Sequence, residues 1–291
     1  MKKILYILSI ICLLTGLNSC HKDVHDGERG IAIALTNPNR DAATDLRVWI
    51  YDNAGNQIDE YRYGTYAEIA NSLLDFPTGD YTVVVATNII EPFRVEKLNT
   101  GATDLENLFV KLTNASASPA HAHYGTQKIT VKPTGITHVA ITLNRVLAEM
   151  NLTFNNVPDE VLHVTAVVTN CADGFYPGLG KLSSNTATAT IGEKISPQKG
   201  VLTFPMVKLM PIIAPTIRSG EAKTLIALTF HYSNGGMITF NIEAPVLQNG
   251  GTYNPVVEYS ILRSGITIEL NDINGWVELP PIGGEILNPI N

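Results

Sequence analysis

Cysteine is scarce in this chain, and the scarcity limits what can stabilise its fold. The 291 residues contain three cysteines, Cys12, Cys20 and Cys171. Cys12 lies in an apolar N-terminal leader and Cys20 at its end, where lipid is predicted below to occupy the thiol, so Cys171 is left alone and no disulfide can form within the remaining chain. Stability must therefore come from a hydrophobic core.

Charged side chains are also sparse, and positive charge is outweighed by negative charge. Charged residues make up 16% of the sequence, with 20 basic against 27 acidic side chains. An acidic chain argues against nucleic acid or anionic lipid as a partner. Beyond the leader, no apolar run approaches the roughly 20 residues that a transmembrane helix needs.

Sequence motifs of catalysis are missing as well. The chain has no Gly-x-Ser-x-Gly elbow, no phosphate-binding glycine loop, no His-Glu-x-x-His and no zinc-type cysteine pair. His121 and His123 form the nearest approach to a metal motif, but two histidines in a loop-like segment do not make a site. Asp272 and Asn274 indicate a turn, since the other oxygen ligands of a calcium loop are missing. We expect no enzyme activity, no metal and no cofactor.

The leader, MKKILYILSIICLLTGLNSC, has the form of a bacterial lipoprotein signal. Lys2 and Lys3 give the positive start, an apolar segment follows, and Leu17–Cys20 form a small-residue cleavage box. The alternatives are an ordinary secretory signal and a short membrane anchor. We predict that residues 1–19 are removed and that Cys20 carries lipid, which would hold the protein to a membrane and place the rest in the periplasm or outside the cell.

Short strands with turn residues between them dominate the rest of the chain. The segments are rich in Val, Ile, Thr and Tyr, which is typical of an antiparallel sandwich or barrel. Turn glycines such as those in Asn234-Gly235-Gly236 supply the positive φ of tight hairpins. The predicted strands are Ile31–Leu35, Leu46–Tyr51, Tyr81–Thr87, Lys128–Val131, His138–Leu143, Met150–Phe154, Leu162–Thr169, Leu225–Tyr232, Met237–Ile242, Val256–Leu262 and Ile266–Leu270.

One helix is predicted, over Thr103–Leu112, because Thr103 and Glu106 can form a capping box and apolar residues repeat at helical spacing. We expect it to cross over against a sheet. Tyr66–Leu74 is ambiguous between helix and loop. Gly79, which precedes the strand Tyr81–Thr87, is predicted to take a positive φ in a turn.

A domain boundary is predicted near residues 145–149, because both flanking blocks are rich in strands and each begins with a short apolar strand. The divisions are a signal peptide at residues 1–19, a linker at 20–30, an N-terminal β-sandwich at 31–147 and a C-terminal β-sandwich with a short tail at 148–291. The tail contains Pro289 and is predicted to fray.

A group of three tyrosines allows two interpretations, a binding surface or part of a strand. Tyr61, Tyr63 and Tyr66 could form a platform for sugar, although their spacing equally suits one face of a strand. Trp49 and Trp276 are predicted to lie in the core.

The order of these features resembles the fimbrillin superfamily, the subunits and anchors of type V pili on Bacteroidales-type bacteria. The resemblance rests on the box Leu17–Cys20 and on four later stretches, each also compatible with ordinary strand-turn-strand sequences. These stretches are LRVWIYD at 46–52, PTGDYTVVVATN at 77–88, LNRVLAEM at 143–150 and IELNDINGW at 268–276.

The resemblance implies an all-β protein of two tandem transthyretin-like β-sandwiches, exported to the cell outer membrane and joined to other pilus subunits by β-strand exchange. It is closest to the accessory or anchor branch. Pilus shaft subunits have a clear arginine at which a protease removes the first strand, and here Arg29, Arg40 and Arg47 are all possible processing sites. The alternative function is an outer-membrane lipoprotein that binds glycan.

Overall fold

The structure is a computed structural model of the chain, and it describes residues 29–37, 42–98, 103–218, 221–262, 268–269 and 278–279. Within these ranges the secondary structure is almost entirely β-strand, joined by three short helices. The predicted all-β class is confirmed. No helix in the described ranges is long and apolar enough to cross a membrane. Cys20, Arg40, Asp272, Asn274 and Trp276 lie outside them.

The first half of the described chain contains nine strands and two helices. They are β1 (Gly30–Thr36), β2 (Leu46–Asp52), β3 (Gln57–Tyr63), α1 (Tyr66–Ala70), β4 (Gly79–Thr87), β5 (Phe93–Lys97), α2 (Asp104–Asn107), β6 (Leu108–Leu112), β7 (His123–Val131), β8 (Ile136–Thr142) and β9 (Asn144–Arg145).

The second half contains the remaining strands and one helix. They are β10 (Ala148–Met150), β11 (Thr153–Asn155), β12 (Val161–Ala172), β13 (Gly174–Tyr176), β14 (Lys181–Leu182), β15 (Thr186–Ile195), β16 (Leu202–Thr203), β17 (Val207–Leu209), β18 (Thr216–Arg218), β19 (Glu221–Tyr232), β20 (Met237–Ala244), β21 (Thr252–Tyr253), β22 (Val256–Glu258), α3 (Tyr259–Leu262), β23 (Ile268–Glu269) and β24 (Glu278–Leu279).

A five-stranded antiparallel sheet in the order β3-β2-β4-β7-β9 organises the first half. Its second strand, β2, lies between β3 and β4 and is apolar on both faces. Successive side chains of a strand point to opposite faces. Val48 and Ile50 therefore enter one core, while Trp49 and Tyr51 enter another, and all four are fully buried. The predicted core position of Trp49 is confirmed.

The N-terminal core lies on one side of this sheet, beneath α1 and the two-stranded sheet β1-β8. Its members are Ile31, Ile33, Leu46, Val48, Ile50, Ile69, Leu74, Phe76, Val83, Val85, Val131, Val139, Ile141 and Leu143.

The central core lies on the other side and continues into the second half, from Trp49 through Val110 and Phe175 to Phe154 and Phe230. It is covered in part by a four-stranded sheet in the order β14-β13-β6-β5, in which strands of both halves pair. Gly174 permits this pairing, because a Cβ at that position would lie 2.3 Å from the Val110 carbonyl oxygen.

The second half is built on the sheet β15-β12-β19-β20-β23, with β18 paired to β19. The glycine turn between β19 and β20 forms as predicted, with Gly235 at φ 80°. Two smaller sheets, β17-β10-β21-β24 and β16-β11-β22, complete it. In them β10 runs parallel to β21 and β11 runs parallel to β22.

The predicted helix Thr103–Leu112 is wrong in its second half. The capping box of Thr103 and Glu106 forms, but α2 ends at Asn107 and Leu108–Leu112 is strand β6. Four of its five residues are buried, which a helix with a single apolar face would not achieve. As a strand, β6 gains backbone partners in both β5 and β13.

Three smaller predictions also need correction. Val256–Leu262 is a strand only as far as Glu258 and then forms α3, and Met150–Phe154 is interrupted between β10 and β11. Gly79 does not take a positive φ, because it begins β4 as the ladder partner of Val131. The ambiguous segment Tyr66–Leu74 forms α1, capped by the Thr65 side chain, and then leaves the helix.

Candidate functional site

The first strand, β1, lies at the edge of the first half and has few backbone partners. Among the described residues it forms one ladder, parallel to β8, with Ile33 opposite Val139. One further bridge joins Ile31 to Leu74, with N–H to carbonyl oxygen distances of 2.8 and 3.0 Å. A parallel ladder on a single side is a weaker hold than the two ladders of an internal strand.

Side chains rather than backbone hold β1 in place. Ile31 and Ile33 are 0% and 3% exposed, while Ala34 and Thr36 on the other side of the strand are exposed. Full burial of an isoleucine contributes about 1.5 to 3 kcal/mol. Two such anchors therefore contribute several kcal/mol to the attachment of β1, about 3 to 6 kcal/mol together.

The groove beneath β1 is formed by the N-terminal core and closed at one end by the residues after α1. Gly30 allows close contact there, since a Cβ would lie 2.4 Å from the Leu74 carbonyl oxygen. Without β1, the groove would expose two apolar pockets and the ladder groups of β8. Such an edge is a template for an extended segment of another chain.

The candidate processing arginines lie in different surroundings. Arg29 directly precedes β1. Arg47 lies inside β2, with a side chain 15% exposed that pairs with Asp45 at 3.0 Å and donates to the Ile89 carbonyl oxygen at 2.9 Å. Because β2 is held by β3 and β4, the Arg47 peptide bond is protected in the folded chain. Arg40 lies outside the described residues, as does the candidate lipid site Cys20.

The two histidines near the junction of the halves have structural partners. His123 is fully buried on β7, with its Nδ1 3.2 Å from Thr87 Oγ1. His121 Nε2 lies 2.9 Å from Glu149 Oε1. Their ring centroids are 6.5 Å apart. The described part of the chain contains no group of three or more His, Cys, Asp and Glu that could hold a metal ion.

Sequence reasoning missed the cluster around Glu149. Its second carboxylate oxygen accepts from Thr252 at 3.2 Å and lies 3.5 Å from Arg145 Nη1. Glu149 on β10 thus contacts both His121, in the loop before β7, and Thr252 on β21. The segment Leu143–Met150 contains Arg145 and Glu149, but only the fold brings His121 and Thr252 to them.

A second groove, also missed from the sequence, lies at the tip of the β19–β20 hairpin, with a volume of about 830 Å³. Tyr232 and Tyr259 form part of its wall and share a hydrogen bond between their hydroxyl groups at 2.7 Å. Glu160, Ile238 and Phe240 also line it. The groove therefore combines aromatic faces with a carboxylate.

The predicted tyrosine platform is partly used by the core. Tyr61, Tyr63 and Tyr66 are half-buried and pack against the N-terminal core. The Tyr61 ring makes an edge contact with Phe76 at 6.5 Å between centroids. Burial also raises the pKa of Tyr61 well above its ordinary value.

The fold is shared with solved structures of bacterial surface proteins. A candidate adhesin from Bacteroides thetaiotaomicron matches with a TM-score of 0.59 at 12% identity, over 82% of this chain and 94% of that one. A candidate polysaccharide-binding protein from the same organism matches with a TM-score of 0.57 at 11% identity, over 79% and 91%. At these identities the similarity concerns the fold.

The fimbrial anchor protein Mfa2 from Porphyromonas gingivalis has the same fold, with a TM-score of 0.55 at 12% identity over 78% of this chain and 90% of that one. No curated protein matches the sequence. The sequence model of the fimbrillin-A associated anchor proteins Mfa1 and Mfa2 matches residues 25–199, more than half of the chain. The predicted resemblance is thereby confirmed, and the chain belongs to the family of fimbrillin-A associated anchor proteins.

Proposed function

We propose that this protein is a non-catalytic anchor or accessory subunit of a type V pilus, held in the cell outer membrane by lipid on Cys20 and joined to other pilus subunits by β-strand exchange at the position of β1. The observation that carries the proposal is the placement of β1, which pairs with one strand yet inserts Ile31 and Ile33 into the core.

Exchange at this position is physically simple. A strand from a neighbouring subunit that takes the place of β1 would restore the ladder to β8 and fill the pockets of Ile31 and Ile33 with two of its own apolar side chains. The five-stranded sheet below does not need to move. The gain from the new strand then offsets the loss of the old one.

Cleavage at an arginine would weaken or remove the connection between the lipid on Cys20 and the folded chain. Cleavage after Arg29 would separate Cys20 from every described strand, and cleavage after Arg40 would leave the lipid attached to the body only through β1. Arg47 is protected within β2. In the anchor role, we therefore infer that Arg29, Arg40 and Arg47 remain uncleaved and that the displaced β1 stays tethered to the lipid.

A cross-link across the β1–β8 ladder tests the exchange. Ala34 and Ala140 are opposite each other and exposed, and neighbouring strands are about 4.8 Å apart, within the range that a disulfide spans. We expect Ala34→Cys with Ala140→Cys, once oxidised, to remain folded in the outer membrane but to be missing from purified pili. The two single variants are the controls. An oxidised double variant that enters pili as the wild type does would reject exchange at β1.

Lipid attachment is tested separately by Cys20→Ala. We expect loss of labelling with a palmitate analogue and release from membranes, while Cys12→Ala and Cys171→Ala label normally. Labelling of Cys20→Ala at the wild-type level would reject the lipoprotein assignment without bearing on strand exchange.

The domain division at residues 31–147 and 148–291 is part of the same proposal. The Glu149 cluster lies at the division, and β13 and β14 of the second segment pair with β6 of the first. Two such segments would be joined through both features. Residues 145–148 are buried, so the test is to express residues 31–147 and 148–291 separately, with a cooperative unfolding transition by circular dichroism expected for each if the segments are separate units.

Glycan binding is the second candidate function, and the groove at the β19–β20 tip favours it. Aromatic faces such as Phe240 can stack on sugar rings while Glu160 accepts hydrogen bonds from hydroxyl groups. The fold shared with a candidate polysaccharide-binding protein adds limited support. We expect Phe240→Ala to weaken retention on purified surface polysaccharide, with the exposed Ile217→Ala as the control. Equal retention of both variants would remove this groove from consideration.

A further inference from the structure

Three side chains with metal-binding atoms form a row across the outer face of the largest sheet of the second half. His163 on β12 is the ladder partner of His231 on β19, and His231 is the ladder partner of Met237 on β20. Directly opposed residues of antiparallel strands point to the same face, with Cβ atoms about 4.5 to 5.5 Å apart. Two imidazoles and one thioether are therefore adjacent.

The row lies on the side of the sheet away from the core. Val164 and Phe230, the neighbours of two of these residues in sequence, are fully buried on the inner face. The rings of His163 and His231 stack with centroids 4.3 Å apart and planes 20° apart. Met237 is 67% exposed, the most exposed large apolar side chain among the described residues. Core packing does not explain the position of these three side chains.

We propose that His163, His231 and Met237 form a surface site for a single copper(I) ion. Imidazole nitrogen is a good ligand for copper, and the soft thioether sulfur favours copper(I) over harder ions. The three donors come from neighbouring strands of a continuous ladder, so the backbone already holds them near one another. An imidazole nitrogen donates in the plane of its ring, so copper(I) binding would unstack the two partly exposed rings and turn them, with the Met237 thioether, toward one point above β19.

The surroundings favour a monovalent ion of this kind. Lys194 on β15 places positive charge near His163, and its repulsion grows with the charge of a bound ion. A divalent zinc ion also prefers further nitrogen, thiolate or carboxylate ligands, and no cluster of that type occurs among the described residues. The two imidazoles and the thioether therefore suit copper(I), and the nearby Lys194 ammonium group disfavours a divalent ion more strongly than a monovalent one.

Titration with copper(I) tests the site. The full chain is used with Cys12→Ser and Cys20→Ser, so that the buried Cys171 carries the one remaining thiol of the sequence. Copper(I) is kept reduced under anaerobic conditions and titrated against a coloured copper(I) chelator. We expect one equivalent to bind, about tenfold more weakly in Met237→Leu and about a hundredfold more weakly in His231→Asn. The matched controls are Met206→Leu and His138→Asn, which alter an exposed methionine and an exposed histidine elsewhere.

X-ray absorption at the copper edge provides a second readout that a purely structural role would not change. We expect copper–sulfur scattering in the parent chain and in Met206→Leu, and its loss in Met237→Leu. Circular dichroism checks that each variant is folded. The proposal is overturned if the parent chain retains no copper(I), if His231→Asn and Met237→Leu bind as the parent does, or if zinc(II) binds in the row more tightly than copper(I).

Discussion

In both halves of the protein the first strands pair in parallel with a late strand of the same half, but the number of neighbouring strands differs. In the first half, β1 runs parallel to β8, the last long strand of that half. In the second half, β10 and β11 run parallel to β21 and β22 near its end. However, β10 and β11 have a second, antiparallel neighbour in β17 and β16, whereas β1 has its single ladder and the Leu74 bridge among the described residues.

This difference shows where the fold can exchange a strand without unfolding. A strand between two neighbours loses two ladders when it leaves, and Met150, Leu152 and Phe154 would leave the central core with it. Removal of β1 breaks one ladder and leaves the five-stranded sheet intact. Strand exchange is therefore expected in the first half, and the second half is expected to behave as a fixed body.

The largest effect is expected from Phe154→Ala in β11. The Phe154 ring is fully buried and makes edge contacts with Phe204 and Phe230, at 6.4 and 6.0 Å between centroids. Its truncation is expected to cost about 3 to 5 kcal/mol of unfolding free energy, measured by chemical denaturation. Thr153→Ala, on the same strand, is the control with little effect. A cost below about 1 kcal/mol would mean that β11 is not fixed as the comparison requires.

The combination of Ile31→Ala and Ile33→Ala is expected to cost less than the sum of the two single changes. Each alone removes about 2 kcal/mol or more, but once β1 detaches, further loss of its contacts has no effect on the body. Hydrogen exchange measured by mass spectrometry is expected to show fast exchange in Gly30–Thr36 and slow exchange in Ala148–Asn155. Full additivity with uniform protection would contradict a separately detachable β1.

A smaller effect is expected at the start of α2, which leads into the strand that joins the two halves. The Thr103 hydroxyl accepts from the Glu106 N–H at 3.4 Å, and the Glu106 carboxylate accepts from the Thr103 N–H at 3.1 Å. Thr103→Ala is expected to cost about 1 kcal/mol in thermal or chemical unfolding, and Thr65→Ala at α1 provides the matched comparison. An unchanged stability would show that β6 is positioned by its ladders alone.

The smallest effect is expected from Gly79→Val. Its Cβ would meet the Tyr81 ring at 3.4 Å, an ordinary contact, so the change in stability is expected to stay within about 0.5 kcal/mol. Gly125→Ala on β7 is the contrasting control, because its Cβ would lie 2.6 Å from the carbonyl oxygen of Thr142, the last residue of β8. Similar melting temperatures for the two variants would contradict the packing of β7 against β8.

Much of the first half could be predicted from its sequence, since local patterns define strands well. The apolar runs of β1, β2 and β4 and the capping box of α2 all appear where the residues indicate them. The error at Leu108–Leu112 arose because the same apolar spacing suits a helix with one buried face and a strand buried on both. Only the partners β5 and β13 decide between these two structures.

Some features of the candidate site could be predicted from the sequence, and others depend on the fold. The apolar character of Ile31 and Ile33 and the three arginines are visible in the sequence, but the protection of Arg47 follows from the two strands that flank β2. The row of His163, His231 and Met237 has no sequence signature. Its members are up to 74 residues apart in numbering and meet only through ladder register.

By itself, the sequence determined that this is an all-β chain of short strands, without a disulfide in its folded part, because composition and alternation act residue by residue. The tertiary structure decided which strand pairs with which: β1 with β8 in parallel, β13 with β6 across the two halves, and His163 with His231 and Met237 on one face. The physical reason is that any strand offers the same backbone donors and acceptors to every other. The partner is chosen by which pairing covers the apolar side chains on both faces of the sheets at once.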